Sequence, residues 1–589
     1  MRVSDDILSY YERELAYLRE QGAEFAHRYP RVASKLAFSG TESPDPQTER
    51  LIESQAFLAA RVHRDLDREY PQFAAALLEH LCPTLIQPVP AMTVVALQLH
   101  ASQGKVTAGL RVPRHTALVA PGLGRDAASC RLRTAWDTVL WPLQVTHTRL
   151  VDGRWLQLQL RCDEGSDLAE LELDSLSLHL GGSLSQAMAL YELLVRDVTG
   201  VAVCDGQGRL LHRLSTRHWR QRGYDRDDGL LPRAPHGAPA YALLQEYFAF
   251  ARKFHFFELD GLRGRLGRGR ECEIRLELGR GSRLPAGLDA HALRTGCVPA
   301  INLFPRISEP IRVDPARHEY LLVGERSAAA DIEVHSISSV HLSDPDVDGS
   351  QLVPAFGALD LAAPGRAAGV YWSARREPGG HAGVAGSEMW LAFSDLQRAP
   401  LAPRQPVVHA RLLCSSRRLI EQLTPERRLQ AEGLSTALQA HSLYPVSMPR
   451  PAPLSAQALW QLVSLLRLNH GSLVDAPDGV DALRAMLLLF CGQSSHELAQ
   501  IRGLRSLRAR PGSARIGSEG WRGHCRGTDV ELEFDDDAFV GASPLLLSGV
   551  LAHFFALYTT LNSFVRLGVR RRNEVWHQWP PITGYQPLC

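Results

Sequence analysis

The sequence predicts an α+β multidomain protein with an N-terminal helical segment, central β-rich domains and a mixed α/β C-terminal domain. Three observations carry this. Apolar residues recur at helical spacing as far as Pro90. Beyond it they alternate, as in strands, between Gly, Pro and Asp punctuation. Towards the C-terminal end both periods occur: Val530, Leu532 and Phe534 alternate with Glu531, Glu533 and Asp535, ahead of the apolar stretch Leu545–Leu561. A length of 589 residues suits about three to five domains. The expected segments are 1–92 (helical), 93–300 (first β-rich), 301–425 (second β-rich) and 426–589 (mixed).

In the first segment Ile7, Tyr11, Leu15, Leu18 and Phe25 mark one helix face. Asp45-Pro46 reads as a helix start, because Asp caps and Pro suits the first turn. Leu51, Leu58, Val62 and Leu66 mark the face of a second helix, expected to end at Pro71. A third is expected over Phe73–Leu81. The prolines Pro83, Pro88 and Pro90 form a candidate hinge.

Strands are expected at Thr93–His100, Val106–Val112, Thr138–Leu150 and Trp155–Arg161, and a helix at Leu184–Val195. Arg220–Pro239 is rich in Gly and Pro and reads as a boundary or exposed excursion. A helix over Ala240–Phe250 leads into Phe254, Phe256 and Phe257, a density of aromatics that suits a core before an interface. Cys272–Leu278 alternates as a half-buried strand does. The second β-rich region has strands expected near Glu319, Asp331, Val370, Met389 and Val407. Helices follow at Ala456–Leu468 and Val480–Phe490. Ser543-Pro544 caps a helix that is apolar but too short to span a membrane, which takes about 20 residues.

Composition excludes several classes. With 45% hydrophobic and 22% charged residues the chain can fill several cores and is not disordered. A net charge of +1 does not suit a general nucleic-acid binder. The cysteines show no Cys-x-x-Cys spacing, so reduced thiols in a cytosolic protein are expected. The opening MRVSDDILSYYERELAYL carries acids where a secretory signal needs basic and then apolar residues.

No constellation for chemistry emerges. There is no phosphate-binding Gly-rich loop with Lys-Ser/Thr and no Gly-x-Ser-x-Gly elbow. His496-Glu497 opens a zinc-helix pattern, but Gln500 stands where the second His belongs. Gly122–Ala127 matches a loose dinucleotide fingerprint without the strand-to-helix setting it needs. Asp535-Asp536-Asp537 reads as an acidic turn, and Arg263–Arg275 and Arg570–Arg572 as polar faces. No catalytic, cofactor or metal residues are expected.

Collinear blocks then resemble one family. They are YYERELAYLREQGAEFAHRYPRVASKL, the stretch Asp45–Met92, LLQEYFAFARKFHFFELDGL, GCVPAINLFPRISEPIRVDPARHEYLLV, YWSARRE, Arg526–Phe564 and Trp579-Pro580-Pro581. Together they resemble the TssF (VasA/ImpG) family of type VI secretion baseplate subunits. The resemblance implies a structural wedge protein, not an enzyme. It implies two copies of this chain with one TssG, assembly with TssK and TssE around the VgrG hub, and a cytoplasmic baseplate at the inner membrane. A prophage or related injection device is the alternative setting. A bundle with TssG is expected to use Tyr11, Leu15, Leu18, Leu58, Val62 and Leu66.

Overall fold

The structure is a computed structural model that describes residues 5–33, 45–99, 106–123, 128–233, 239–279, 292–314, 316–325, 331–343, 350–356, 370–379, 386–395, 407–434, 438–466, 479–492, 494–516, 523–571 and 574–584. Two compact units are present: Met1–His80 with Leu454–Val463, and Leu81–Pro453 with Ser464–Cys589. The α+β multidomain class is what the chain adopts.

The smaller unit is built on two helices, Asp5–Arg28 and Pro46–Leu81. Asp45 caps the second as expected, accepting from the Gln47 amide at 3.0 Å and the Thr48 hydroxyl at 3.0 Å. Pro71 does not end it. The helix runs through Pro71 for 36 residues, about 54 Å at 1.5 Å per residue. A proline removes one backbone bond and crowds one carbonyl, a cost of about 3 kcal/mol. The hydrogen-bonded turns on either side offset it.

In the larger unit six strands close a barrel, in the order Met92–Leu99, Cys297–Ile301, Ala128–Thr134, Ala117–Leu123, Arg428–Ala431 and Leu438–Ser442. Its core includes Val94, Leu118, Leu132, Trp136 and Val298. The boundary expected at 300 thus falls inside a barrel strand, and the one at 425 cuts off the two strands that complete the barrel. Local patterning cannot show which strand closes a barrel, because the partners are far apart in sequence.

Between barrel strands the chain builds a five-stranded sheet. Glu271–Leu278 is central, between Val198–Asp205 and Trp155–Cys162, and its burial alternates residue by residue. The Val106–Val112 strand is shorter than expected, covering Leu110–Val112. The Thr138–Leu150 strand is split in two at Trp141-Pro142. Of the stretch Arg220–Pro239, read as a boundary or exposed excursion, the residues up to Leu231 pack back on the barrel, while 234–238 lie outside the described residues. Trp136 Nε1 donates to the Asp228 carbonyl at 2.8 Å, and Arg114 donates to the Gly229 carbonyl at 2.7 Å. The aromatic run is core: Phe254, Phe256 and Phe257 are buried.

The second β-rich region pairs a sheet containing Val407–Ser415 and Glu333–Ser343 with one containing Ser387–Asp395 and Val370–Pro378. Both contribute to one core, through Val340, Leu412 and Leu391 among others. At the C-terminal end Gly523–Phe534 and Phe564–Arg571 run parallel. Parallel strands need a crossover, here the helix Pro544–Ala556. Ser543 caps it through the Leu545 amide. It is apolar all round because it is buried almost throughout. Gly549 allows a close approach: a Cβ there would lie 2.8 Å from the Tyr224 hydroxyl and 3.0 Å from the Trp579 ring.

A buried ion pair lies at the end of the helix Pro239–Phe250. Lys253 and Glu246 bond to each other with side chains 0% and 1% exposed. Glu246 also accepts from the Leu230 and Leu231 amides at 2.7 and 2.9 Å. Lys253→Met is expected to lower stability by about 3–5 kcal/mol, read as an earlier chemical-unfolding midpoint. An unchanged midpoint would show that the two amides hold the Glu246 charge unaided.

His179, His255 and His335 are buried neutral, and His553 is half-buried. Burial pushes His255 and His335 down to about 3 and His553 down to about 4, and lowers His179 well below the usual range. The unfolded chain takes up protons on them as pH falls below about 6.5; the folded chain takes them up on His255, His335 and His553 only at about pH 3 to 4. Stability is therefore complete above about pH 6.5 and lost progressively towards pH 4, with a slope per histidine of roughly 1.4 kcal/mol per pH unit. A melting temperature that falls over this window, and falls less steeply in His255→Phe, is the expected result. His255 is the sharpest probe because neither ring nitrogen has a hydrogen-bond partner.

Candidate partner interface

The two helices of the smaller unit are held by polar contacts. Tyr10 donates to Asp67 at 3.0 Å, His63 Nδ1 and Glu14 lie 2.8 Å apart, and Arg19 Nε donates to Glu49 at 3.2 Å. On Pro46–Leu81 the residues Glu49, His63 and Asp67 share a face with buried Ala56, Ala60, Ala74 and Leu78. Small residues on that face allow close approach, and the polar contacts fix the antiparallel register.

Roughly a third of a turn around the same helix lies a different surface. Leu51, Leu58, Val62, Leu66, Phe73 and Leu77 follow at intervals of seven, four, four, seven and four, so they form one stripe along the axis. All are exposed: Leu58 is 53%, Val62 57%, Leu66 55% and Phe73 76% exposed. Single exposed apolar residues are ordinary, but a contiguous stripe marks an interaction site.

The six residues expected at the interface thus divide. Leu58, Val62 and Leu66 lie on the outward stripe. Tyr11, Leu15 and Leu18 are half-buried, on the side of the first helix near Glu14, which touches His63. Phe73 and Leu77 extend the stripe and were hidden by reading Pro71 as a terminator.

The motifs examined for chemistry have structural occupations. The Gly122 region joins two antiparallel barrel strands, with Leu123 opposite Ala128, so no strand-to-helix phosphate turn exists there; residues 124–127 lie outside the described ones. His496 Nε2 donates to the Val540 carbonyl at 2.8 Å, while Gln500 Nε2 donates to His496 Nδ1 at 3.0 Å. The imidazole is committed on both sides. Asp535 caps a turn through the Asp537 amide and pairs with Arg505 at 2.9 Å; Asp536 pairs with Arg571 at 2.6 Å. Arg263 pairs with Glu172, Arg275 with Glu273 and Arg570 with Glu531; Arg572 lies outside the described residues. His524-Cys525 sits in the strand Gly523–Phe534.

A polar cleft of about 450 Å³ is lined by Arg220, Arg222, Asp227, Asp228 and Glu258. Its charges are internally matched: Arg222 with Asp228 at 3.1 Å and Arg220 with Asp260 at 2.7 Å. Among the described residues no group of three or more His, Cys, Asp or Glu could hold a metal ion. The nine described cysteines are free and seven are buried; burial pushes Cys272 up to about 12, so its thiol is inert. No helix among the described residues is long and apolar enough to cross a membrane.

Comparison with known proteins covers nearly the whole chain. The family model described as "Type VI secretion system, TssF" matches residues 3–586. The type VI secretion system component TssF1 of Pseudomonas aeruginosa is 34% identical, over 99% of both chains. Among solved structures, a chain of a TssK–TssF–TssG baseplate subcomplex has a TM-score of 0.72 at 23% identity, covering 90% of this chain and 98% of that one. A chain of a type VI secretion baseplate complex has a TM-score of 0.58 at 22% identity, covering 96% of each. Matched over residues 3–586 by the family model and over 99% of its length by a relative, this chain belongs to the TssF family of the type VI secretion system.

Proposed function

We propose that the protein is a structural wedge subunit of a type VI secretion baseplate, at the cytoplasmic face of the inner membrane. Two copies of it associate with one TssG, and the wedge adds TssK and TssE around a VgrG hub to template sheath and tube assembly. The role is architectural, with no catalytic step. Family membership supports the setting, and the solved relatives include TssF within a TssK–TssF–TssG subcomplex. The residues 1–92 act as the partner-binding segment.

The observation that carries the reading at residue level is the exposed stripe Leu51–Leu77 on Pro46–Leu81. A helix that leaves such a stripe in water gains by laying it into a helical bundle. Fully burying each Leu or Val side chain contributes about 1.5–3 kcal/mol. Tyr11, Leu15 and Leu18, half-buried on the companion helix, widen the same bundle from the side.

Co-expression with the TssG partner tests both levels. A complex whose mass equals two of these 65.1 kDa chains plus one TssG is expected. The variant Leu58→Asp/Val62→Asp/Leu66→Asp should lose co-purification while keeping its circular dichroism, since exposed substitutions change stability by about 0.5 kcal/mol or less. A folded variant that still binds TssG would remove the stripe from the interface. A wild-type chain that ignores TssG would remove the wedge assignment itself.

A further inference from the structure

The strands Leu504–Ile516 and Gly523–Phe534 pair along their length, but the next strand, Phe564–Arg571, pairs only with Gly527–Glu533. The hairpin therefore continues past the sheet as a two-stranded ribbon. Leu504–Ile516 is also the outermost strand of its sheet. Its outer backbone groups have no strand partner among the described residues.

This edge carries a column of cations. Arg508, Arg510 and Arg515 are exposed. Asp529 stands directly across from Arg510 and Glu531 across from Arg508, yet both carboxylates are bonded to other arginines. Asp529 bonds to Arg566 at 2.8 Å and Glu531 to Arg570 at 3.0 Å. The neighbouring acids are also committed, Asp535 to Arg505 and Asp536 to Arg571. The three edge guanidiniums are left with no ion pair among the described residues.

We propose that this free edge docks an extended acidic segment of a partner protein, added antiparallel as a further strand. An incoming strand takes its affinity from the main-chain ladder and its specificity from side chains set opposite the arginines. The register fixes the pattern. Arg508 and Arg510 point to one side of the sheet and Arg515 to the other, because side chains alternate. An antiparallel strand meets position 515 first, then 510, then 508. The matching sequence is acid-x-x-x-x-acid-x-acid. Pro511 removes a single donor and is tolerated on an edge.

The same arginines exclude the other occupants. A second copy would bring an identical cationic edge, and like charges directly opposite are unfavourable. A nucleic-acid duplex has no use for a free backbone edge. The net charge of +1 supplies no long-range attraction for a polyanion either.

The test uses the full chain and a fluorescein-labelled peptide with Glu at the three matching positions and Thr elsewhere. A peptide of the same composition with displaced glutamates and a short DNA duplex are the controls. In fluorescence anisotropy at about 50 mM salt, the patterned peptide is expected to bind more tightly than either control. Arg508→Glu/Arg510→Glu/Arg515→Glu should weaken it by about tenfold or more. Bound peptide should slow hydrogen exchange in Leu504–Ile516. The stripe variant Leu58→Asp/Val62→Asp/Leu66→Asp should bind it unchanged, so this result is independent of the TssG test. Absence of binding, equal binding of the displaced peptide or of the arginine variant, tighter binding of the duplex, or protection elsewhere would each overturn the proposal.

Discussion

The larger unit depends on one requirement: the strand Met92–Leu99 must find hydrogen-bond partners on both edges. It finds them in Cys297–Ile301 and Leu438–Ser442, each hundreds of residues away in the chain. Buried backbone groups without partners are too costly to persist. The chain must therefore return to the barrel twice. What it builds on each excursion is separable: a pair of sheets between Leu143 and Arg294, and a two-sheet region between Phe304 and Ser415. Such non-local pairing makes folding slow, because loop closure precedes the contacts that reward it.

Inside this frame the polar groups are few and strictly placed. Glu246 ties a loop to its helix through two amides and holds Lys253 beside the Phe254 ring. This pair and the neutral histidines are worth least as sources of stability, since apolar side chains in their place would cost nothing in desolvation. Their effect is on specificity and on pH response. A core that holds imidazoles neutral tolerates neutral solution and resists acid poorly.

Much of this was legible in the sequence where the signal is local. The caps at Asp45 and Ser543 each need one side-chain oxygen and the next amides. The alternation of Glu271–Leu278 needs only period two. The all-apolar run after Pro544 needs only burial. Legibility failed where the cause is distant or the local rule is outweighed. Arg428–Ala431 is too short to carry a pattern, and only barrel closure makes it a strand. Leu504–Ile516 escaped notice because, beyond the sheet, neither face of the ribbon is consistently apolar. Pro71 obeys its local rule and is outvoted by the turns around it. That single misreading cut the surface stripe in half, since Leu58, Val62 and Leu66 were visible while Phe73 and Leu77 fell beyond the supposed break.

The two outward surfaces differ in physical kind, and the difference bears on how each would be used. The stripe on Pro46–Leu81 is apolar. Its gain comes from leaving water, so it is insensitive to salt and suits a contact that forms once and stays. The edge of Leu504–Ile516 is cationic and hydrogen-bonding. Its gain in water is small per contact and screened by ions over about 8–10 Å, so it suits a contact that can be exchanged. The chain offers both because its secondary structure leaves one helix face and one strand edge unsatisfied.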